Sequence, residues 1–186
     1  MKITITGPRS VGKTTISKIV AKKMNLKYIS SDEIGNKKAK KQGGLDKVIK
    51  SGEIKKILRK KGYTLLQKSY KKNDNFVFDL SGGSVAYRDF PEASRALRKD
   101  VKESSIVIGL LPYKNNKKCI ELLFSRELKR AHFKKISDAD KKILYEKTKK
   151  RYPWFPKLFK TFCNHIIYTE NKTPKEVAKE ILAKIK

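Results

Sequence analysis

Near the start of the chain, Gly7-Pro8-Arg9-Ser10-Val11-Gly12-Lys13-Thr14 restricts the possible fold more than any other stretch. It fits the pattern G-x-x-x-x-G-K-[ST]. Before it, the alternating run Lys2-Ile3-Thr4-Ile5-Thr6 predicts a short strand; after it, Ile16, Ile19, Val20 and Met24 form an apolar stripe at helical spacing. A strand feeding a glycine-rich turn and then a helix is the setting in which this pattern becomes a phosphate-binding loop. Gly7 and Gly12 leave no Cβ where the backbone must wrap an anion, and the loop N–H groups and the helix N-terminus face that anion together. Lys13 brings a mobile charge to the β- and γ-phosphates, and the Thr14 hydroxyl suits Mg²⁺. Arg9, Ser10, Val11 and Thr15 complete the expected nucleotide contacts. An ordinary glycine turn would account for the glycines but not for the Lys-Thr pair behind them.

Further along, Leu26–Ile29 predicts a second strand ending at Ser30-Ser31-Asp32, and Phe76-Val77-Phe78-Asp79-Leu80 a buried third strand running into Ser81-Gly82-Gly83-Ser84. Ile106–Leu111, apolar except for Gly109, reads as a central parallel strand, and His165–Tyr168 as the last. Helical signals separate them. Pro91 stands in a first turn, and Ile120, Leu123, Phe124 and Leu128 form a stripe. Ser137 is placed as an N-cap, and Thr173 with Glu176 forms a capping box around Pro174. Residues 34–72 are lysine- and glycine-rich, with short helices expected around Val48-Ile49 and Ile54–Leu58. Leu65 and Leu66 continue a helical pattern to the turn at Asn73. Strands alternating with helices imply an α/β fold with a parallel sheet covered on both faces. Ligands then gather at the C-terminal strand ends, which here are the phosphate loop, Asp32 and Ser81-Gly82-Gly83.

A length of 186 residues suits one domain with its own core, and no linker or repeat divides it. Charge is extreme, a formal +29, and is carried mostly by lysine spread over the whole chain. A dedicated nucleic-acid binder concentrates arginine and aromatic residues on one face, so nucleic acid is expected only as a secondary partner. No apolar run approaches a membrane span and no signal peptide is visible, so a cytoplasmic protein is expected, with Cys119 and Cys163 as reduced thiols. His132 and His165 lack metal-ligand spacing. Trp154 is expected to form a hydrophobic plug with Tyr152 and Phe155.

The phosphate loop, the acidic residue after the second strand and the Gly-Gly-Ser-Val stretch after the third together resemble the shikimate kinase family. Leu123-Phe124-Ser125-Arg126 with Arg130 is similar to that family's helix leading into its lid, and the final Ile-x-Tyr-Thr…Thr-Pro-x-Glu-Val-Ala pattern to its last strand and helix. The resemblance implies a three-layer P-loop kinase fold with a five-stranded parallel sheet and a mobile lid. One domain, 1–186, would carry a substrate-binding segment at 34–72 and a lid at 130–140. Its activity would be ATP- and Mg²⁺-dependent transfer of a phosphoryl group to a small hydroxylated acid, with shikimate first, by a monomer. Lys13, Asp32 and Arg130 would be catalytic, with Asp32 against the acceptor hydroxyl. Arg126 would lie along the adenine. Arg59, Gly82, Gly83 and Arg151 would join Asp32 in binding the acceptor, and Thr14 would hold the metal.

Against the family pattern, Ser30 replaces the first acid of Asp-x-Asp, Ser81 the first of three glycines, and Ala131 the lid proline. The second carboxylate-binding arginine falls on Arg151 or, aligned without a gap from the last strand, on Phe155. Asp79 reads equally as a Walker-B-like acid near Mg²⁺ or as a structural partner for a lysine. Two other readings stay open: a nucleoside or nucleotide kinase of the same fold, and a non-enzymatic, nucleic-acid-associated P-loop protein.

Overall fold

The structure is a computed structural model and describes residues 1–39, 63–86, 91–130 and 136–185. Strands β1 (Lys2–Gly7), β2 (Lys27–Ser30), β3 (Phe76–Ser81), β4 (Ile106–Leu111) and β5 (His165–Tyr168) form one sheet in the order β2-β3-β1-β4-β5. Every pairing is parallel. The expected α/β fold is therefore present. Alternation explains how the sheet is covered, since successive side chains of a strand point to opposite faces. Ile3, Ile5, Val77, Ile108 and Leu110 share one cluster, with Ile16 and Val20 of α1 (Lys13–Lys23) and Val177, Ala178 and Ile181 of α9 (Pro174–Lys184). Phe76, Phe78, Leu80 and Val107 face the other way. There they meet Tyr63, Leu66 and Tyr70 of α3 (residues 63–72) and Leu97 and Val101 of α5 (Pro91–Ser104).

The remaining helices are α2 (Ser31–Ala39), α4 (Gly82–Ala86), α6 (Asn116–Leu128), α7 (Asp138–Arg151) and α8 (Trp154–Phe162). The caps read from the sequence are formed. Ser137 accepts from the Asp140 N–H, and the Thr173–Glu176 capping box is closed in both directions.

Sequence reasoning missed α8. Pro153 and Pro156 look like helix breakers, but Pro153 is the N-cap and Pro156 falls within the first turn, where a backbone N–H has no intrahelical partner to lose. Phe155, Phe159 and Phe162 form its buried face, and Tyr152 ahead of it is also buried. Trp154 corrects the expected plug. It is 43% exposed, whereas Tyr152 and Phe155 are buried. Both short helices expected between 48 and 58, and Arg59 with them, lie outside the described residues. Of the expected lid, residues 131–135 are also outside, while 138–140 open α7.

Register sets the rim where the site is built. Gly7 stands opposite Ser81, and Ser30 stands opposite Asp79. The Ser81 N–H donates to the Ser31 hydroxyl at 2.8 Å, tying the ends of β2 and β3 together.

Candidate active site

Between β1 and α1 the backbone turns through two left-handed residues, Ser10 at φ 64° and Gly12 at φ 101°. Gly12, as the α1 N-cap, takes that conformation freely, whereas an L side chain there is strained. α1 begins at Lys13, so its unpaired N–H groups open into the loop. Close approach fixes the floor of the site. A Cβ on Gly82 would come within 2.2 Å of the Gly7 carbonyl oxygen, so β1 and the start of α4 touch through bare backbone.

Lys13 folds back and donates to the Pro8 carbonyl at 2.9 Å. Burial lowers its pKa, while Asp79 and Asp32 pull it up and Arg130 and Arg9 push it down. Thr14 donates to Asp79 Oδ2 at 2.7 Å, and the Tyr28 hydroxyl donates to the same oxygen at 3.1 Å. Desolvation raises the Asp79 pKa; bonds from Thr14 and Tyr28 and the charge of Lys13 work against it, and Asp32 adds to it. Tyr28, desolvated and facing Asp79, is pushed up to about 12 and stays a neutral donor. Asp79 therefore stands beside both the loop threonine and the charge of Lys13.

Asp32 stands exposed in the first turn of α2 and is not its cap, because Ser30 accepts from the Glu33 N–H at 3.3 Å. Its charge nevertheless reaches both Lys13 and Asp79.

Opposite the loop, the last turn of α6 brings Arg126, whose Nη1 donates to the Ser10 carbonyl at 3.5 Å. Together they line a cleft of about 290 Å³ with Val11, Gly12, Thr169, Pro174 and Val177. The wall after β5 was not assigned from the sequence, although it lies at a C-terminal strand end, where such folds bind ligands. Arg130 follows α6, 45% exposed, with Nη1 3.6 Å from Glu127 Oε2. Glu127 is itself buried and was also missed, because one acid inside a basic helix end looks like surface.

The structure thus gathers the loop, Asp32, Asp79, Arg126, Arg130 and Gly82 on one rim, with Gly83 next to Gly82 in the first turn of α4. Arg151 is the last residue of α7 and is exposed. Phe155 instead packs against Gly82, with Cε1 2.7 Å from where a Cβ would stand. Among the described residues no cluster of three or more His, Cys, Asp and Glu stands ready to hold a metal ion. Likewise, no described helix is long and apolar enough to cross a membrane.

Comparison with known proteins bears on the fold and on the family. A shikimate kinase from Acinetobacter baumannii, solved in complex with shikimate, superposes with a TM-score of 0.69 at 22% identity, over 99% of this chain and 92% of that one. Deoxyadenosine kinase from M. mycoides gives 0.60 at 20% identity, over 100% and 98% of the two chains. At these identities the likeness establishes the fold. Cytidylate kinase from Archaeoglobus fulgidus is 51% identical over 43 residues, which is 23% of this chain and about a quarter (24%) of that enzyme. The model of the family described as shikimate kinase matches residues 9–186. The chain, a P-loop kinase by its fold and its loop, belongs to the shikimate kinase family.

Proposed function

We propose that this protein transfers the γ-phosphate of ATP to a hydroxyl of a small metabolite, with shikimate, giving shikimate 3-phosphate, as the first acceptor. One observation carries the reading: a phosphate loop, a buried carboxylate bonded to the loop threonine and a second, exposed aspartate share one rim. The residues suit the groups this chemistry requires. Left-handed Ser10 and Gly12 and the start of α1 offer backbone N–H groups to a triphosphate. The cleft under Arg126 and Pro174 has room and apolar walls for a purine. Thr14 and Asp79 supply hard oxygen ligands.

In this reading Lys13 exchanges its bond to the Pro8 carbonyl for phosphate oxygens, with Arg9, Val11 and Thr15 around it. Thr14 and Asp79 would hold Mg²⁺, which would neutralise charge on the phosphates. Arg130 faces the transferring group. Asp32 orients the acceptor hydroxyl and takes its proton as the acceptor oxygen bonds to phosphorus and the bridging oxygen leaves with ADP. Gly83 lets the acceptor ring approach the backbone, while the space beside Gly82 is taken by the Gly7 carbonyl and the Phe155 ring rather than left for the acceptor. Arg59 and Arg151 pair with the acceptor carboxylate. Alignment and charge neutralisation supply most of the acceleration such a reaction needs.

Phe155 favours a second reading. It puts hydrocarbon beside Gly82, where one alignment has a carboxylate-binding arginine, and so suits a nucleoside or nucleotide acceptor better than an acid. A coupled ADP-release screen over hydroxy acids, nucleosides and nucleotides separates the two, with Asp32→Asn as control. Shikimate-dependent release supports the first reading, and release with nucleosides or nucleoside monophosphates the second. Release with no acceptor, together with salt-sensitive RNA binding, would leave a nucleic-acid-associated P-loop protein.

A further inference from the structure

Glu127 breaks two local rules. It is a buried carboxylate, 5% exposed, and it stands in the last turn of α6, where the helix dipole disfavours an anion. Such violations are expected where function requires them. One of its oxygens accepts a hydrogen bond, and the other, which has none, is met by charge alone. The Ser10 hydroxyl donates to Oε2 at 2.5 Å, Arg9 Nε lies 2.8 Å from Oε1, and Arg130 Nη1 lies 3.6 Å from Oε2.

Two of these three partners are long cations, 56% and 45% exposed, whose charges already bear on Lys13. Left alone, Arg9, Lys13 and Arg130 repel one another and the arginines sample many rotamers in solvent. One buried anion between the arginines opposes that repulsion. It also grips Ser10, a non-glycine residue in a left-handed conformation, and so joins the phosphate loop to the end of α6, just before Arg130.

We propose that Glu127 is a positioning residue. It aims Arg130, and with it Arg9, at the terminal phosphate of a bound triphosphate, and it touches neither nucleotide nor acceptor. This rests on the phosphotransferase reading above. A buried anion beside a polyphosphate site is unfavourable for anion binding as such, so its benefit must come through the donors it orders. The consequence is specific: Glu127 governs discrimination between ATP and ADP rather than nucleotide binding in general, because the loop amides serve both.

Titration calorimetry with MgATP and with MgADP tests this on the full-length wild type, Glu127→Ala, Glu127→Gln, Arg130→Ala and the Glu127→Ala/Arg130→Ala double variant. Glu127→Ala is expected to lower the preference for ATP over ADP about tenfold, with MgADP affinity kept within about threefold. Arg130→Ala should do the same, and the double variant should be no worse than either single one. Glu127→Gln preserves volume and an oxygen for Ser10 but no charge. It is expected to show the same loss of preference with near-wild-type melting, and it carries the test if Glu127→Ala does not fold. An ATP preference within twofold of wild type in both Glu127 variants, or additive losses in the double variant, overturns the assignment and leaves a purely structural ion pair. Wild-type protein binding neither nucleotide sinks the phosphotransferase reading and this inference with it; wild-type binding with an unchanged preference in the variants sinks this one alone.

Discussion

Lys13 and Asp32 carry separable duties in the proposed reaction, and single substitutions should show it. Lys13→Ala is expected to reduce turnover about 10³-fold by removing charge stabilisation. Asp32→Asn should reduce it about 10²-fold while MgATP affinity, read by calorimetry, stays within a few-fold. Asp79 makes a different prediction. Its folded pKa lies above the unfolded one because burial outweighs its hydrogen bonds, so the folded state holds the proton more tightly. The resulting cost is absent below the unfolded value, grows as pH rises through the folded value, and is complete above it. Asp79→Asn keeps both accepted hydrogen bonds and removes the charge. It should raise Tm at pH 8, with the gain shrinking as pH falls. MgATP affinity should fall in the same variant. A Tm gain independent of pH would show that desolvation of Asp79 is not the cause.

Among the elements, the contact between the β1 end and the α4 start is the least tolerant. A Cβ on Gly82 would meet both the Gly7 carbonyl and the Phe155 ring, and backbone cannot step aside as a side chain can. Gly82→Ala should therefore cost about 3 kcal/mol or more and loosen the phosphate loop, seen as lower MgADP affinity alongside a lower Tm. Gly109 in β4 has a similar role one strand over, where a Cβ would come within 2.5 Å of Phe159 and 2.8 Å of Cys163 Sγ. There the obstacle is side chain, so Gly109→Ala should shift α8 and lower Tm, in circular-dichroism melts, with less effect on nucleotide binding. Both glycines were visible in the sequence. Neither neighbour was, because Phe155 and Phe159 belong to a helix whose prolines disguised it.

Taken whole, the molecule is a phosphate-binding α/β sheet inside a strongly basic surface. Its formal charge of +29 makes any polyanion attractive at low ionic strength, whatever the site does. RNA or DNA binding is accordingly expected to lose at least 10²-fold in affinity between about 50 and 200 mM salt and to show no sequence preference. ADP release with the right acceptor should survive the same change far better, since the paired and half-buried groups of the site are less screened. Sequence-selective binding that persists at high salt would point instead to a dedicated nucleic-acid surface.

Local chemistry in the chain was enough for the loop, the five strands, the caps at Ser137 and Thr173, and the convergence of strand ends. Each depends on residues a few positions apart: a glycine pair, a period of two, a hydroxyl three residues from its target. Contacts between distant residues could not be read that way. Asp79 sits 65 positions from Thr14 and Glu127 sits 117 from Ser10, and no spacing rule links such pairs. They meet because parallel crossovers return every strand to the same rim and because helix packing brings the α6 end down on the loop. The motif fixes which ligand the loop can grip; the order of the strands in the sheet fixes which charges surround it.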